Sequence, residues 1–122
     1  MATTDVAYSN LVPNGNLAQP AGTTLVVAPT NNLRIVNAVP ELTVLRVVNT
    51  GAEQDITIKA GDNPPALAAG QGDLVVTVAA TTGVQFIGPF ESGRFVQSDG
   101  SMLIEAETVD GTITALRVPR NT

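Results

Sequence analysis

The sequence predicts an all-β protein, an antiparallel β-sandwich or jelly roll that carries an extended N-terminal arm. Eight or nine short runs of strand-forming residues occur, with turn residues about every eight to twelve positions. No segment has the period of a long amphipathic helix. Regularly spaced short strands of this kind are typical of sandwiches and jelly rolls. The length of 122 residues suits a single domain.

The N-terminal segment predicts an extended arm over residues 1–22, followed by a sandwich domain over residues 23–122. The arm is polar and has no strand or helix period. The residues that interrupt it are Pro13, Gly15, Pro20 and Gly22. Two interpretations remain open: a loose terminal tail, or an arm that docks on a neighbouring protein. Tyr8, Leu11 and Leu17 are the side chains that a docked arm would bury, and they are our candidate contacts.

The strand-like runs follow one another from residue 23 to residue 119. The predicted strands cover 23–28, 33–38, 42–49, 55–60, 74–79, 84–90, 94–97, 102–107 and 113–119. The runs 55–60 and 74–79 alternate between apolar and polar residues, which is the pattern of a half-buried strand. The run 42–49 carries apolar residues on both faces, so its second face needs a cover that an oligomer would supply. Asp110-Gly111 predicts a hairpin turn before the last strand.

The long connection around residues 61–73 allows a structural and a metal-binding interpretation. Asn63 fits a helix N-cap before a proline, and Gly70 fits the residue that ends a helix. We therefore predict a short helical turn with Leu67 pointing inward. The alternative is a calcium site with oxygens from Asp62, Asn63 and Asp73, but calcium takes about six to eight oxygen ligands and the spacing matches no known loop. No metal or cofactor is predicted.

The composition argues against several classes of function. The chain has no cysteine and no histidine, which removes thiol chemistry, zinc–thiolate sites and the commonest general base. The six basic residues are scattered and the net charge is −5, so we predict no binding to nucleic acid. Glu105 and Glu107 share one strand face, but a glycosidase would also need aromatic platforms, and the chain has no tryptophan. We expect no catalytic residues and no enzyme.

Targeting signals are also missing from the sequence pattern. No apolar run approaches the roughly 18 residues of a membrane span, so no membrane partner is expected. The first residues lack a basic region followed by an apolar run. We therefore expect synthesis in the cytoplasm without a signal peptide.

The stretch "QFIGPFESGRF" gathers all three phenylalanines of the chain within ten positions. Phe86, Phe90 and Phe95 are flanked there by Glu91 and Arg94. One interpretation is a core cluster with an ion pair near a turn. The other is a protein interface, where aromatic residues and arginine are enriched.

Several motifs resemble a family of known proteins. They are "AGDNPPA", "GQGDLVV", "IGPFESGRF", "QSDGS" and "GTITALRVPR". Over roughly residues 42–120 the chain resembles head decoration proteins, also called capsid cement proteins, of tailed bacteriophages, especially those that infect actinobacteria. The resemblance implies a β-sandwich or jelly roll that forms homotrimers on the outer capsid surface, at three-fold and quasi-three-fold positions. Such proteins join adjacent capsomers and resist the pressure of packaged DNA.

The resemblance sets the expectation for function and partners. We expect a structural virion protein that binds the major capsid protein and further copies of itself, and that lies on the outer surface of the capsid. The alternative is a β-sandwich module of a tail or fibre adhesin that binds a ligand on the host surface. A major capsid gene directly beside this one would favour the cement role.

Overall fold

The computed structural model describes residues 2–18, 20–26, 31–61, 72–97 and 99–119, and it shows a β-sandwich. Its strands are β1 (Ala2–Asp5), β2 (Tyr8–Asn10), β3 (Thr23–Thr24), β4 (Asn31–Ile35), β5 (Thr43–Asn49), β6 (Gln54–Ile58), β7 (Leu74–Val78), β8 (Val84–Ile87), β9 (Met102–Ala106) and β10 (Gly111–Arg117). A single turn of 3-10 helix spans Pro40–Leu42, and a short helix, α1, spans Ser92–Phe95.

Two mixed five-stranded sheets form the layers of the sandwich. Sheet A has the order β1-β4-β9-β6-β7, and sheet B has the order β2-β10-β5-β8 with β3 also paired to β10. The predicted sandwich is confirmed, but a purely antiparallel arrangement is wrong, because β1 is parallel to β4 and β2 is parallel to β10. The chain passes from sheet A to sheet B between β1 and β2 without a hairpin. β1 therefore joins sheet A, and β2 joins sheet B, each as a parallel strand at the edge.

The core lies between the sheets and is built from the inward side chains of each strand. The pattern is clearest in β6, where Ile56 and Ile58 are fully buried while Asp55 and Thr57 point outward. This confirms the predicted alternation over residues 55–58, where the strand ends; Lys59 and Ala60 beyond it are both half-buried. The inward residues of the other long strands include Leu33, Ile35, Leu45, Val47, Val78, Met102, Ile104, Ile113 and Ala115. Apolar burial on this scale is the main force that holds the two sheets together.

Within the segment predicted to be an extended arm, residues 2–10 contribute two short strands. β1 pairs with β4 from Ala2 to Asp5, and β2 pairs with β10 from Tyr8 to Asn10. Val6 lies between them and is only 3% exposed. Edge positions of both sheets accept these strands because β4 and β10 would otherwise present unpaired backbone groups. The division into an arm over residues 1–22 and a domain over residues 23–122 stays a prediction.

Three predictions concern short segments of the chain: residues 94–97, the turn at residues 110–111 and residues 63–70. Residues 94–97 were expected to be a strand, but Ser92–Phe95 form α1. The hairpin at Asp110-Gly111 is wrong, because β9 belongs to sheet A and β10 to sheet B, so this turn carries the chain between layers. Gly111 has a φ of +140°, and the Val48 carbonyl approaches it so closely that a side chain would not fit. The helical turn predicted for Asn63–Gly70, with Leu67, lies outside the described residues.

Candidate functional site: the outer face of sheet B

The outer face of sheet B is assembled from alternate residues of three neighbouring strands. Because Leu45, Val47 and Asn49 of β5 point into the core, the residues between them point outward. The outward set comprises Val44, Arg46 and Val48 of β5, Val84 and Phe86 of β8, and Thr112, Thr114 and Leu116 of β10. Thr114 is buried within this set, with Gly22 beside its hydroxyl. The register places them in rows across the sheet. We call this set the sheet B face.

The sheet B face is apolar and nearly free of charge. Phe86 is 62% exposed and Val84 is 42% exposed. Phe86 lies directly opposite Arg46, and Val84 lies opposite Val48. Arg46 is the one charged residue of this set, and none of the ion pairs found among the described residues involves it. The exposed Val84 and Phe86, with the half-buried Val44 and Val48 on the neighbouring strand, form an apolar patch of the kind that marks interaction sites.

The outer face of sheet A has the opposite character. Five carboxylates and two cations project from it or from its margins: Asp5, Asp55, Asp73, Glu105 and Glu107, with Arg34 and Lys59. Arg34 forms an ion pair with Asp5 at 2.9 Å. The Lys59 Nζ atom lies 3.0 Å from Asp73 Oδ2 and 3.8 Å from Glu105 Oε1. We call this set the sheet A face. It is acidic, whereas the sheet B face carries only the positive charge of Arg46.

Electrostatics on the sheet A face favour stable ion pairs. A hydrogen bond from the backbone N–H of Ala60, at 2.6 Å, lowers the pKa of Asp73, and Lys59 lowers it further. The hydrogen bond to Asp73 raises the pKa of Lys59. The pKa of Arg34 is raised by its hydrogen bond to Asp5. A carboxylate with a lowered pKa stays ionised at neutral pH, which suits a solvated ion pair better than a general acid.

The two glutamates noted in the sequence lie on this same face. Glu105 faces Lys59, and Glu107 accepts a hydrogen bond from the backbone N–H of Asp55. Together with Thr57 and Ala106 they line an open surface pocket of about 130 Å³. Across the described part of the chain, no group of three or more acidic residues is placed to hold a metal ion.

The three phenylalanines are separated by the fold. Phe90 and Phe95 are 4% and 3% exposed and pack edge to face, with ring centroids 5.6 Å apart. The guanidinium carbon of Arg94 lies 4.8 Å from the centre of the Phe95 ring. Phe86 lies apart from this pair, on the sheet B face. Glu91 is exposed, and no ion pair of the described residues joins it to Arg94.

The packing of this region assigns different roles to the five predicted interface residues. Arg94 donates from Nε to the Gly72 carbonyl at 3.1 Å, so it ties α1 to the segment before β7. Phe90, Phe95 and Arg94 therefore serve the interior and its margin. Phe86 is the member best placed to meet another molecule. An interface role for Glu91 and the others stays a prediction.

The candidate contacts of the N-terminal segment are also divided. The Tyr8 hydroxyl lies 2.6 Å from the Thr43 hydroxyl and accepts a hydrogen bond from the Val39 N–H at 2.9 Å, so it is engaged within its own chain. Leu11 is half-buried and lines a surface pocket of about 390 Å³ with Leu42 and Pro119. Leu17 is 39% exposed. A contact between these side chains and a capsid stays a prediction.

One signal in the sequence pointed towards the sheet B face. The run 42–49 has apolar residues on both sides, and its outward members Val44 and Val48 are half-buried in the structure. The register that sets Val84 and Phe86 beside this strand was not readable from the sequence, because it depends on which strands become neighbours.

Comparisons with protein-family models, with curated proteins and with solved structures found no match to this chain. Within the described residues, no helix has the length and apolar character needed to cross a membrane.

Proposed function

We propose that this protein is a structural virion protein that decorates a tailed-phage capsid by binding the outer surface of the major capsid protein lattice. The observation that carries the proposal is the contrast between the apolar sheet B face, whose one charged residue is Arg46, and the acidic sheet A face. The motifs in residues 42–120 that resemble head decoration proteins support the choice of partner. The work of the protein is then attachment, and it requires no chemical step.

In this proposal the sheet B face rests on the capsid and the sheet A face points to solvent. Phe86 and Val84 are the most exposed apolar side chains on the sheet B face. Full burial of such a side chain contributes about 1.5–3 kcal/mol. The carboxylates of the sheet A face keep the exterior hydrated and do not attract nucleic acid, since binding to phosphates depends on clustered Lys and Arg.

The proposed assembly is a homotrimer at three-fold and quasi-three-fold positions, and a jelly-roll arrangement of the strands belongs to the same proposal. A standard interface buries about 800 Å² per partner, and area alone does not fix affinity. A trimer that touches several capsid subunits at once gains avidity of about 10²- to 10⁴-fold without any new kind of contact. This gain explains how shallow apolar contacts would hold adjacent capsomers together.

A matched pair of variants tests which face binds. Val48→Lys places a charge in the centre of the sheet B face, whereas Val75→Lys places the same charge on the sheet A side of β7, where Val75 is 54% exposed. Each purified variant is added to capsids that lack the protein, and bound protein is measured by co-sedimentation. We expect Val48→Lys to abolish most binding and Val75→Lys to bind like the unmodified chain. Equal binding by both variants would refute attachment through the sheet B face.

The number of copies in the virion separates the proposal from the adhesin alternative. Quantitative mass spectrometry of purified virions should find the protein at a copy number comparable to that of the major capsid protein. Particles that lack it should assemble but rupture at a lower temperature. A few copies per virion, located at the tail, would instead favour an adhesin.

A further inference from the structure

β8 leaves one backbone edge of sheet B open. It is the last strand in the order β2-β10-β5-β8, so only its β5 side has a neighbour among the described strands. The backbone N–H of Asn49 donates to the Gly83 carbonyl at 2.9 Å, and this bond fixes which residues of β8 face β5. In an antiparallel ladder, bonded and non-bonded pairs alternate. Gln85 and Ile87 therefore direct their backbone groups to β5, and Val84 and Phe86 direct theirs to the open edge.

The open edge lacks the features that usually protect a sheet edge. Charged side chains, bulges and prolines are the common protections. Val84–Ile87 contains none of them, and its outward side chains are the exposed Val84 and Phe86. Protection begins only at Pro89, which has no N–H to offer and so limits any further ladder to these few residues.

We propose that β8 pairs with β8 of a second copy of this chain, antiparallel and around a two-fold axis at Gln85. In this register Val84 lies opposite Phe86 of the second copy, and Phe86 lies opposite its Val84. Because these two residues carry all the outward backbone groups of β8, each of the two pairs closes two N–H to carbonyl hydrogen bonds. If the two strands were shifted by two residues, only one of Val84 and Phe86 would form a hydrogen-bonded pair within β8. Its partner would then be the same residue of the second copy.

The side chains are self-complementary in the same register. Directly opposed residues lie on the same face of a sheet, so each Phe86 ring contacts a Val84 side chain on the sheet B face. Aromatic and β-branched residues form favourable cross-strand pairs. Gln85 meets its own neutral copy, so no like charges oppose each other. This self-complementarity favours a second copy over an unrelated strand, since a two-fold interface requires one surface to match itself.

The pairing is a property of the chain itself and does not depend on the proposed virion role. It would join two copies of sheet B into one continuous sheet whose apolar faces point the same way. A two-fold contact through β8 is compatible with a three-fold contact elsewhere on the surface. Together the two contacts would connect neighbouring trimers.

A single introduced cysteine tests the two-fold axis, because the chain contains no cysteine of its own. Gln85 and its copy would form a non-hydrogen-bonded pair with Cα atoms about 4.5 Å apart, which lies within the range of disulfides, roughly 4.4–6.8 Å. Gln85→Cys under mild oxidation should therefore yield covalent dimers on non-reducing gels. The control is Val109→Cys, at a site that is 53% exposed and lies outside β8, in the turn before β10. We expect at least about tenfold faster cross-linking at position 85.

A second variant keeps the test independent of disulfide chemistry. Phe86→Lys removes both Phe–Val cross-strand pairs and should weaken dimer formation, measured by light scattering against concentration, by about tenfold. Covalent dimers from Gln85→Cys that disappear in Gln85→Cys/Phe86→Lys would support the pairing. Equal cross-linking at positions 85 and 109, or dimerisation unchanged by Phe86→Lys, would overturn it. Failure of Val48→Lys to impair capsid binding would refute the proposed function while leaving the β8 result intact.

Discussion

The side-chain amide of Gln54 donates a hydrogen bond to the side-chain oxygen of Asn49 at 3.1 Å, between the last residue of β5 and the first residue of β6. Asn49 belongs to sheet B and Gln54 to sheet A. Both residues are buried, with exposed fractions of 0% and 1%. The backbone groups that bind these two amides belong to Gly51, Ala52, Val78, Ala79, Thr108 and Asp110. The pair therefore closes one end of the sandwich by satisfying the polar groups of three separate turns.

Asn49→Ala should lower the free energy of unfolding by about 2–4 kcal/mol. The substitution removes one of the hydrogen bonds of the Gln54 amide, which keeps its bonds to Asp110 and Thr108. It also removes the side-chain partner of backbone groups of Gly51, Ala52 and Ala79, and each buried group left unsatisfied costs about 1–3 kcal/mol. Urea unfolding followed by circular dichroism measures the change. The control is Asn10→Ala, an exposed site on β2 where the effect should stay within about 0.5 kcal/mol.

A double-mutant cycle isolates the coupling between the two amides. Because Asn49 and Gln54 share one network, the loss in Asn49→Ala/Gln54→Ala should be smaller than the sum of the two single losses. Strict additivity would show that the direct bond contributes nothing beyond the separate contacts of each side chain with the turns.

Local patterns predicted the strands of this fold better than their connections. The alternation in 55–60 identified β6 and its buried face correctly, because that pattern depends only on neighbouring residues. Asp110-Gly111 has the composition of a hairpin turn, yet it joins two sheets. The deciding interactions are the seven-residue pairing of β10 with β5 and the approach of the Val48 carbonyl to Gly111, both distant in sequence.

The same distinction applies to the candidate site and to the N-terminal strands. The sequence showed that strand 42–49 has two apolar faces, but the sheet B face exists only because β8 and β10 flank β5. Residues 2–10 have little strand-like pattern of their own. They become strands because β4 and β10 offer open edges and because Val6 finds a buried position.

Tyr8→Phe should destabilise the fold by about 1–2 kcal/mol through a single lost hydroxyl. The Thr43 hydroxyl donates its proton to the Val39 carbonyl at 2.7 Å, so the Tyr8 hydroxyl must donate to Thr43 while it accepts from the Val39 N–H. Phenylalanine leaves that N–H unpaired. Thermal unfolding measures the loss, and Ser9→Ala on the same strand is the control. A fully stable Tyr8→Phe variant that binds capsids poorly would instead assign Tyr8 to the capsid contact.

Asp73→Asn should reduce the dependence of stability on acid pH. The pKa of Asp73 is lower in the folded protein than its usual value of 3.8, so the folded state binds fewer protons than the unfolded chain in acid. The stability from this group is present above about pH 4 and is lost as the pH falls through the lowered pKa. The pKa of Lys59 is raised, so its contribution persists until the pH passes its usual value of 10.5.

The size of the Asp73 effect should be small because the ion pair is partly solvated. The side chains of Lys59 and Asp73 are 36% and 34% exposed, so Asp73→Asn should cost less than about 1 kcal/mol at pH 7. Urea unfolding at pH 7 and pH 3 gives the slope, with Glu53→Gln at an exposed carboxylate as the control. A slope identical to that of the unmodified chain would mean that Asp73 ionises alike in the folded and unfolded states.

The three phenylalanines should separate cleanly into two interior residues and one surface residue. Phe90→Ala and Phe95→Ala each remove a buried ring from an edge-to-face pair and should lower the free energy of unfolding by about 3–5 kcal/mol. Phe86→Ala removes a ring that is 62% exposed and should change it by no more than about 0.5 kcal/mol. Chemical unfolding of the three variants side by side makes the comparison, since the substitution is the same at each site. A large loss of stability in Phe86→Ala that does not depend on protein concentration would mean that its ring serves the interior of the single chain, and the sheet B face would then lose its most exposed apolar contact. A loss that grows with protein concentration would instead come from the proposed β8 pairing.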